Sequence, residues 1–343
     1  MNDGEFRLGI VGCGGISSLH GKASQAAADV RLVSCCDLRT ERAEEFAKRY
    51  GCDSQYDNYR RMIHEQDLDG ILLATWPNQH REQVERCLDA GVRHILCEKA
   101  LALTGDEARE IRDLVETAGA LLMEGFMYRH HPVIAEIEAL IASGSLGTID
   151  SVRGVFSSFD PETAPVTDEE RNWRQRKEYG GGVPYDFACY ATNACNHFAD
   201  GDPLCVYGLG SVSAQYETIN RMFGLIQYDN GCVGMIESSK GASHSQELRI
   251  TGSEGIVTLP ISWTVLQEAT YFISSCEDWA DIRTERRQVP VADSYQLQLE
   301  NFVDVARGRA EPCMPLSDSV KNCATVEALV KSIECRRDVE VHI

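Results

Sequence analysis

The chain has 343 residues, 43% of them hydrophobic and 25% charged, which suits two domains with separate cores and excludes a disordered chain. Its formal net charge of -20 repels phosphates and so argues against a nucleic-acid partner. No run approaches the ~20 apolar residues that span a bilayer, and Met1 to Arg7 lacks the basic and apolar regions of a signal peptide, so a cytoplasmic protein with no membrane partner is expected.

In chain order, Phe6 to Val11 predicts a strand, Ile16 to Ala28 a helix, Arg31 to Cys36 a second strand and Thr40 to Tyr50 a charged helix. Short strands follow at Gly70 to Ala74, Arg93 to Cys97 and Ala120 to Glu124, separated by helices at 78–90 and 104–118. Such alternation implies βαβ units in a doubly wound parallel sheet. After Arg129-His130-His131-Pro132 the pattern changes: an amphipathic helix at Val133 to Ser143 leads into the stretch Thr148 to Phe159, then a polar loop, then a helix announced by Gly180-Gly181-Gly182. From Cys205 to Val289, period-two runs broken by turns such as Asp229-Asn230-Gly231 indicate a largely antiparallel sheet. Helices at 295–307 and 317–335 close the chain. The expected fold class is α/β, with a parallel-sheet domain over 1–127 and an α/β domain with a large open, mostly antiparallel sheet over 128–343. The fourteen cysteines include no C-x-x-C pair. Those in apolar segments, Cys35, Cys36, Cys97 and Cys189, read as reduced core thiols.

Gly12-Cys13-Gly14-Gly15-Ile16-Ser17 follows the first strand and opens the first helix. Glycines there permit a tight turn and close approach of a pyrophosphate to the helix N-terminus, where free N–H groups and the macrodipole favour an anion. Ser17 takes the third motif position and is small enough for close helix–strand packing. Asp37 ends the second strand, 20 residues after Ser17, where a carboxylate accepts hydrogen bonds from an adenosine ribose. Its charge would repel a 2′-phosphate, favouring NAD over NADP, while Arg39 softens that choice. Thr75-Trp76-Pro77-Asn78-Gln79-His80 follows the next strand of this set, in a loop suited both to starting a helix and to lying beside the nicotinamide half. Glu98-Lys99 also falls at a strand's carboxyl end, either as a solvated edge or facing a ligand. In the second domain Asp186, Tyr190 and Asn193 are spaced i, i+4, i+7 and share one face if the segment is helical. His80, His130, His131 and His197 show no metal-ligand spacing with Cys or acids, and no metal site is expected.

Together these motifs resemble the family of glucose-fructose oxidoreductase, inositol dehydrogenase and rhizopine-catabolism proteins (Gfo/Idh/MocA). The resemblance rests on the glycine turn at 12–17, "TWPNQH" at 75–80, "EK" at 98–99, "EGFMYRHHP" at 124–132, "GGGVPYDFACYATN" at 180–193 and "LENFVDVARGRAEP" at 299–312. It implies a Rossmann domain followed by an α/β domain whose open sheet commonly forms oligomer contacts, hence a homo-oligomer. It also implies NAD(P)-dependent hydride transfer on a sugar or polyol, with Gly12, Gly14, Gly15, Ile16, Asp37, Arg39, Thr75, Trp76, Asn78, His80, Glu98 and Lys99 toward the cofactor. Lys99 matches the family's lysine at the reacting oxygen, and Asp186 the acid of the second-domain helix. Tyr190 falls where inositol dehydrogenases carry histidine and the sugar-oxidising and dihydrodiol-dehydrogenase branches carry tyrosine. Arg129, Trp173, Arg174 and Asn193 are expected to border the substrate. Ala100 departs from the proline that usually follows Glu-Lys. Two alternatives carry the same motifs: an NAD-dependent glycosidase that oxidises its sugar transiently, and a non-catalytic sugar or NAD sensor.

Overall fold

A computed structural model describes residues 4–160, 172–264, 268–278 and 281–343. These form two compact units; the first runs up to Ala102 and takes in Asp106–His130 and Asp293–Ser319. Its elements are β1 (Phe6–Val11), α1 (Ser17–Ala26), β2 (Val30–Cys36), α2 (Thr40–Tyr50), β3 (Ser54–Tyr56), α3 (Tyr59–Glu65), β4 (Gly70–Leu73), α4 (Pro77–Asp89), β5 (His94–Glu98), α5 (Gly105–Thr117) and β6 (Leu121–Gly125). The six strands lie in the order β3-β2-β1-β4-β5-β6, all parallel. Leu8, Ile10, Ile71, Leu72 and Leu73 are each exposed by 1% or less, as expected for strands covered on both faces. Predicted and observed elements agree to within one or two residues at most ends. The exceptions are β3 and α3, which the sequence did not signal: β3 has only three residues, and α3 is a short helix started by Asn58, whose side chain accepts from Arg60 N and Arg61 N.

The strand order reverses direction at β1 and β4, so the carboxyl ends of these two strands flank the crevice where an open α/β sheet binds its ligands. The glycine turn, the loop after β4 and Lys99 after β5 all lie at that edge. The return of Asp293–Ser319 to this unit is fastened by the ring of Phe302 against Phe6, centroids 6.0 Å apart and edge-on.

The second unit comprises Leu103–Gly105, His131–Ala292 and Val320–Ile343. It contains α6 (Pro132–Ala142), β7 (Ile149–Ser157), α7 (Cys189–Phe198), β8 (Pro203–Val212), β9 (Ile219–Tyr228), β10 (Val233–Ser239), β11 (Ser245–Gly252), β12 (Ile256–Leu259), β13 (Ala269–Asp278) and β14 (Asp281–Val289). After α8 (Ser294–Ala306) of the first unit, α9 (Leu316–Cys335) and β15 (Val339–Glu340) complete the chain. The nine-stranded sheet has the order β14-β13-β12-β11-β7-β10-β9-β8-β15. Among the described residues only β7 and β10 pair in parallel; the other pairs of this sheet are antiparallel. In β9, Met222, Gly224, Ile226 and Tyr228 point inward while Phe223, Leu225 and Gln227 are exposed, the alternation of a sheet with one solvated face. Helix α7 packs on β7 and β10. Among the described residues no helix is long and apolar enough to cross a membrane.

The turn before α7 depends on Gly182, whose φ is +96° and whose position would bring a Cβ within 2.6 Å of the Ile219 carbonyl oxygen. Gly182→Ala is therefore expected to destabilise the protein by at least about 1–2 kcal/mol from the left-handed backbone alone, measured as a lower denaturant midpoint.

Candidate active site

The glycine turn has the geometry of an anion cradle. Gly12 adopts φ +94°, and a Cβ there would meet the Ala74 carbonyl oxygen at 2.5 Å, so only glycine lets the turn lie against the end of β4. Ser17 is fully buried and donates its hydroxyl to Gly12 O at 2.6 Å, closing the turn onto α1. A Cβ at Gly14 or Gly15 would meet nothing within 4 Å, leaving open space before the N–H groups of the helix start, where Ile16 stands at the N-cap position without a side-chain cap. Asp37 is held by two backbone donors: Cys13 N–H to Oδ2 and Arg39 N–H to Oδ1, each 2.9 Å. A cavity of about 500 Å³ runs along this edge, lined by Gly12, Gly14, Asp37, Arg39, Thr75 and Trp76 among others. An open glycine face, a helix N-terminus and a fixed carboxylate suit a dinucleotide's pyrophosphate and ribose.

Not every residue expected near the cofactor lies in that cavity. Asn78 sits exposed in the first turn of α4. His80, on the same helix, is fully buried, with Nδ1 at 3.1 Å from both Ala100 O and Leu101 O and Nε2 at 3.3 Å from Thr75 O. Burial lowers its pKa, and with the ring proton on Nδ1, the nitrogen nearer its carbonyl partners, it donates to the two carbonyls that follow Lys99. Glu98 is 6% exposed; its Oε2 accepts from Lys99 N at 3.2 Å and its Oε1 meets His20 Nε2 at 2.7 Å. Glu124, on β6, is fully buried, and its Oε1 accepts from Leu101 N at 2.7 Å. Burial raises its carboxyl to about 8, so it stands protonated at neutral pH. The Lys99–Ala100 peptide is cis. Buried side chains thus grip the backbone on both sides of Lys99.

In the second unit, Asp186 lies in a π turn, Pro184–Ala188, and the regular helix begins only at Cys189. The segment is thus helical without being a uniform α-helix: the wider π turn keeps the i, i+4 pair Asp186 and Tyr190 near one face and turns Asp186 away from Asn193. All three are buried, at 2%, 5% and 1% exposure. Arg174 donates from Nε to Asp186 Oδ2 at 2.6 Å, and its guanidinium lies 4.6 Å from the centre of the Trp173 ring. The Tyr190 ring packs edge-on to Phe156 at 5.5 Å and lies 6.2 Å from Trp263, whose indole N–H donates to Val155 O at 2.7 Å.

Arg129, expected beside the substrate, is 6% exposed and engaged inside the first unit. It donates to Cys313 O at 3.0 Å, lies 3.5 Å from Asp318 Oδ2 and contacts Met314 Sδ at 3.7 Å. It ties the segment after β6 to the returning chain. Sequence reasoning overlooked His20, Phe156 and Trp263 and gave Glu124 no role; His20 lies three residues past Ser17, and no local signal links any of them to the site.

The first unit is thus a dinucleotide-binding Rossmann domain, and the second an α/β domain bearing a buried acid and phenol beside a glycine turn. The sequence pattern described as "Oxidoreductase family, NAD-binding Rossmann fold" matches residues 6–126, and its companion "Oxidoreductase family, C-terminal alpha/beta domain" matches 138–341. The chain belongs to this Gfo/Idh/MocA oxidoreductase family. It is 28% identical over 338 residues to a D-xylose 1-dehydrogenase (NADP(+)) of Haloferax volcanii, covering 97% of this chain and 99% of that one. It is 24% identical to an inositol 2-dehydrogenase of Rhizobium meliloti, covering 98% and 99%. Among solved structures, levoglucosan dehydrogenase in complex with NADH and L-sorbose superposes with a TM-score of 0.86 at 23% identity, covering 99% of both chains. A 3-ketoreductase from Actinomadura kijaniata, in complex with NADP and TDP-benzene, gives 0.85 at 21% identity over 96% and 98%.

Two outcomes test this geometry. Asp37→Ala should weaken NAD binding by about 10-fold or more, the worth of a charge-assisted hydrogen bond, and raise the preference for NADP, as read by fluorescence titration with each reduced cofactor. Glu124 is the second case: its folded pKa lies above its unfolded value, so its contribution to stability is complete below about pH 4.5 and is lost as pH rises to about 8. Glu124→Gln keeps an acceptor for Leu101 N but has no proton to lose. Its stability relative to wild type should rise across that window by about 1.4 kcal/mol per pH unit at most, measured by denaturation at pH 5, 6.5 and 8.

Proposed function

We propose that this protein oxidises a CH–OH group of a sugar or cyclic polyol, or reduces the corresponding carbonyl, with Lys99, Asp186 and Tyr190 as its catalytic residues. The observation that carries the reading is a lysine whose flanking backbone is gripped by buried side chains at the ligand-binding edge of a Rossmann sheet. NAD or NADP supplies the hydride acceptor or donor when bound. The chain's part is to bind and orient the alcohol and to move the hydroxyl proton. A phenol of ordinary pKa near ~10 is a weak base at neutral pH, and an ammonium group nearby favours its ionised form. In this reading Tyr190 exchanges the proton with the substrate oxygen, Lys99 polarises that oxygen, and Asp186, oriented by Arg174, fixes a neighbouring hydroxyl. Trp173 and Asn193 are proposed to line the sugar. The named relatives that act on xylose and inositol support a polyhydroxylated substrate.

Lys99→Met and Tyr190→Phe should each lower kcat by about 10²–10⁴-fold while leaving reduced-cofactor binding measurable. Near-normal turnover in either, on the best substrate from a panel of aldoses, polyols and glycosides with NAD and NADP, would overturn the assignment. The same panel separates a glycosidase, which would release aglycone without lasting NADH, and a sensor, which would bind without turnover.

The proposal extends to assembly. Tyr207 pairs with Leu225, and Leu209 with Phe223, on the exposed face of the second unit's sheet, an apolar patch on one face. A second copy of this chain covers it in the proposed homo-oligomer. Leu225→Glu should shift the mass measured by light scattering toward the monomer, and an unchanged mass would place the contact elsewhere.

A further inference from the structure

His20 and Glu98 pair inside the first unit. His20 lies on α1, one turn past Ser17, on the helix whose N-terminus faces the dinucleotide cradle. Its Nε2 lies 2.7 Å from Glu98 Oε1, with the two side chains only 2% and 7% exposed. The other oxygen, Oε2, accepts from the backbone N–H of Lys99. The imidazole is held edge-on to the Tyr295 ring, centroids 5.2 Å apart and planes at 90°. On the β6 side the carboxyl lies over Gly125, where an added Cβ would stand 3.3 Å from Glu98 Oε1, so glycine leaves the space that the carboxyl uses. All of these residues belong to the first unit.

A buried carboxyl group is tolerated when its oxygens find donors, and with one donor removed nothing fixes its rotation, so the bond kept by the other oxygen is no longer held in place. Here the donors are the imidazole on the cofactor helix and the peptide N–H of the lysine. We propose that His20 is a positioning residue: by holding Glu98 Oε1 it fixes the carboxyl whose other oxygen fixes the Lys99 peptide, so the lysine is set in register with the helix that carries the cofactor. His20 touches neither cofactor nor substrate in this scheme and acts only through Glu98. The inference rests on the proposed role of Lys99.

The test compares His20→Leu with His20→Gln, whose amide nitrogen can reproduce the Nε2–H donor, and crosses each with Lys99→Met. His20→Leu should lower kcat by about 100-fold, the scale expected when a reacting group is misplaced by an ångström. Reduced-cofactor Kd should stay within about threefold, because neither His20 nor Glu98 lines the cavity along the glycine turn, and His20→Gln should recover most of the lost kcat. In the Lys99→Met background, His20→Leu should cost nothing further, since both act through one group. Circular dichroism and thermal melting establish that each variant is folded. If His20→Leu does not fold, His20→Gln and Glu98→Gln carry the comparison: near-normal kcat in His20→Gln with a large loss in Glu98→Gln supports the proposal. The proposal falls if folded His20→Leu keeps its kcat, if its loss appears only in cofactor affinity, if His20→Gln is as impaired as His20→Leu or Glu98→Gln, or if the losses of His20 and Lys99 add. Normal turnover in Lys99→Met alone would instead overturn the underlying assignment of the lysine.

Discussion

A lysine at the end of a parallel strand is useful for chemistry only if its backbone is held, because four methylenes separate its charge from the main chain. In this protein the holding is done by buried polar side chains that converge on three consecutive residues, Lys99 to Leu101. Glu98 accepts from the Lys99 N–H, Glu124 accepts from the Leu101 N–H, and His80 donates to the carbonyls of Ala100 and Leu101. Burying so many titratable groups is costly unless each finds a partner, and the chain meets that requirement in different ways. Glu98 has the imidazole of His20, Glu124 is protonated, and His80 is neutral. The segment is therefore stiff for electrostatic reasons as well as steric ones.

This arrangement explains why the ligand edge of the first unit is built from elements distant in sequence. His20 belongs to the helix after β1, His80 to the helix after β4, Glu98 to β5 and Glu124 to β6. A parallel sheet brings the ends of these strands to one edge, and every connection between them must pass through a helix. The same topology that opens a crevice for a dinucleotide thus supplies the braces for the lysine. The second unit solves a different problem. Its acid and phenol are presented by a π turn and the helix that follows, backed by Phe156 and Trp263 from the sheet and its loop, and Arg174 compensates the buried Asp186.

Most of the architecture was legible in the sequence because it rests on periodicity and turn chemistry. The glycine turn, the carboxylate ending β2 and the hairpin at Asp229-Asn230-Gly231 are local signals that keep their meaning in any context. Where signals were short or polar they failed: Ser54–Tyr56 pairs with β2 without any alternation of its own. The π turn that carries Asp186 was not legible either, because a π turn and an α-helix look alike in residue type. Arg129 invited a substrate role because an arginine in a polar motif reads as accessible, whereas its neighbours are Cys313, Met314 and Asp318, nearly 190 residues away.

The sequence by itself determined that the chain folds as a parallel-sheet domain followed by a mostly antiparallel one, and where a glycine turn meets the first helix start. These follow from hydrophobic period and from the backbone freedom of glycine, which act over a few residues. Only the tertiary structure decided which polar groups face the cavity and which are consumed inside. His80 and Glu98 turned inward to brace the lysine, and Arg129 to fasten the returning chain, because a buried charge or hydrogen-bonding group takes the partner that folding brings within 3 Å or so, and no spacing along the chain encodes that partner.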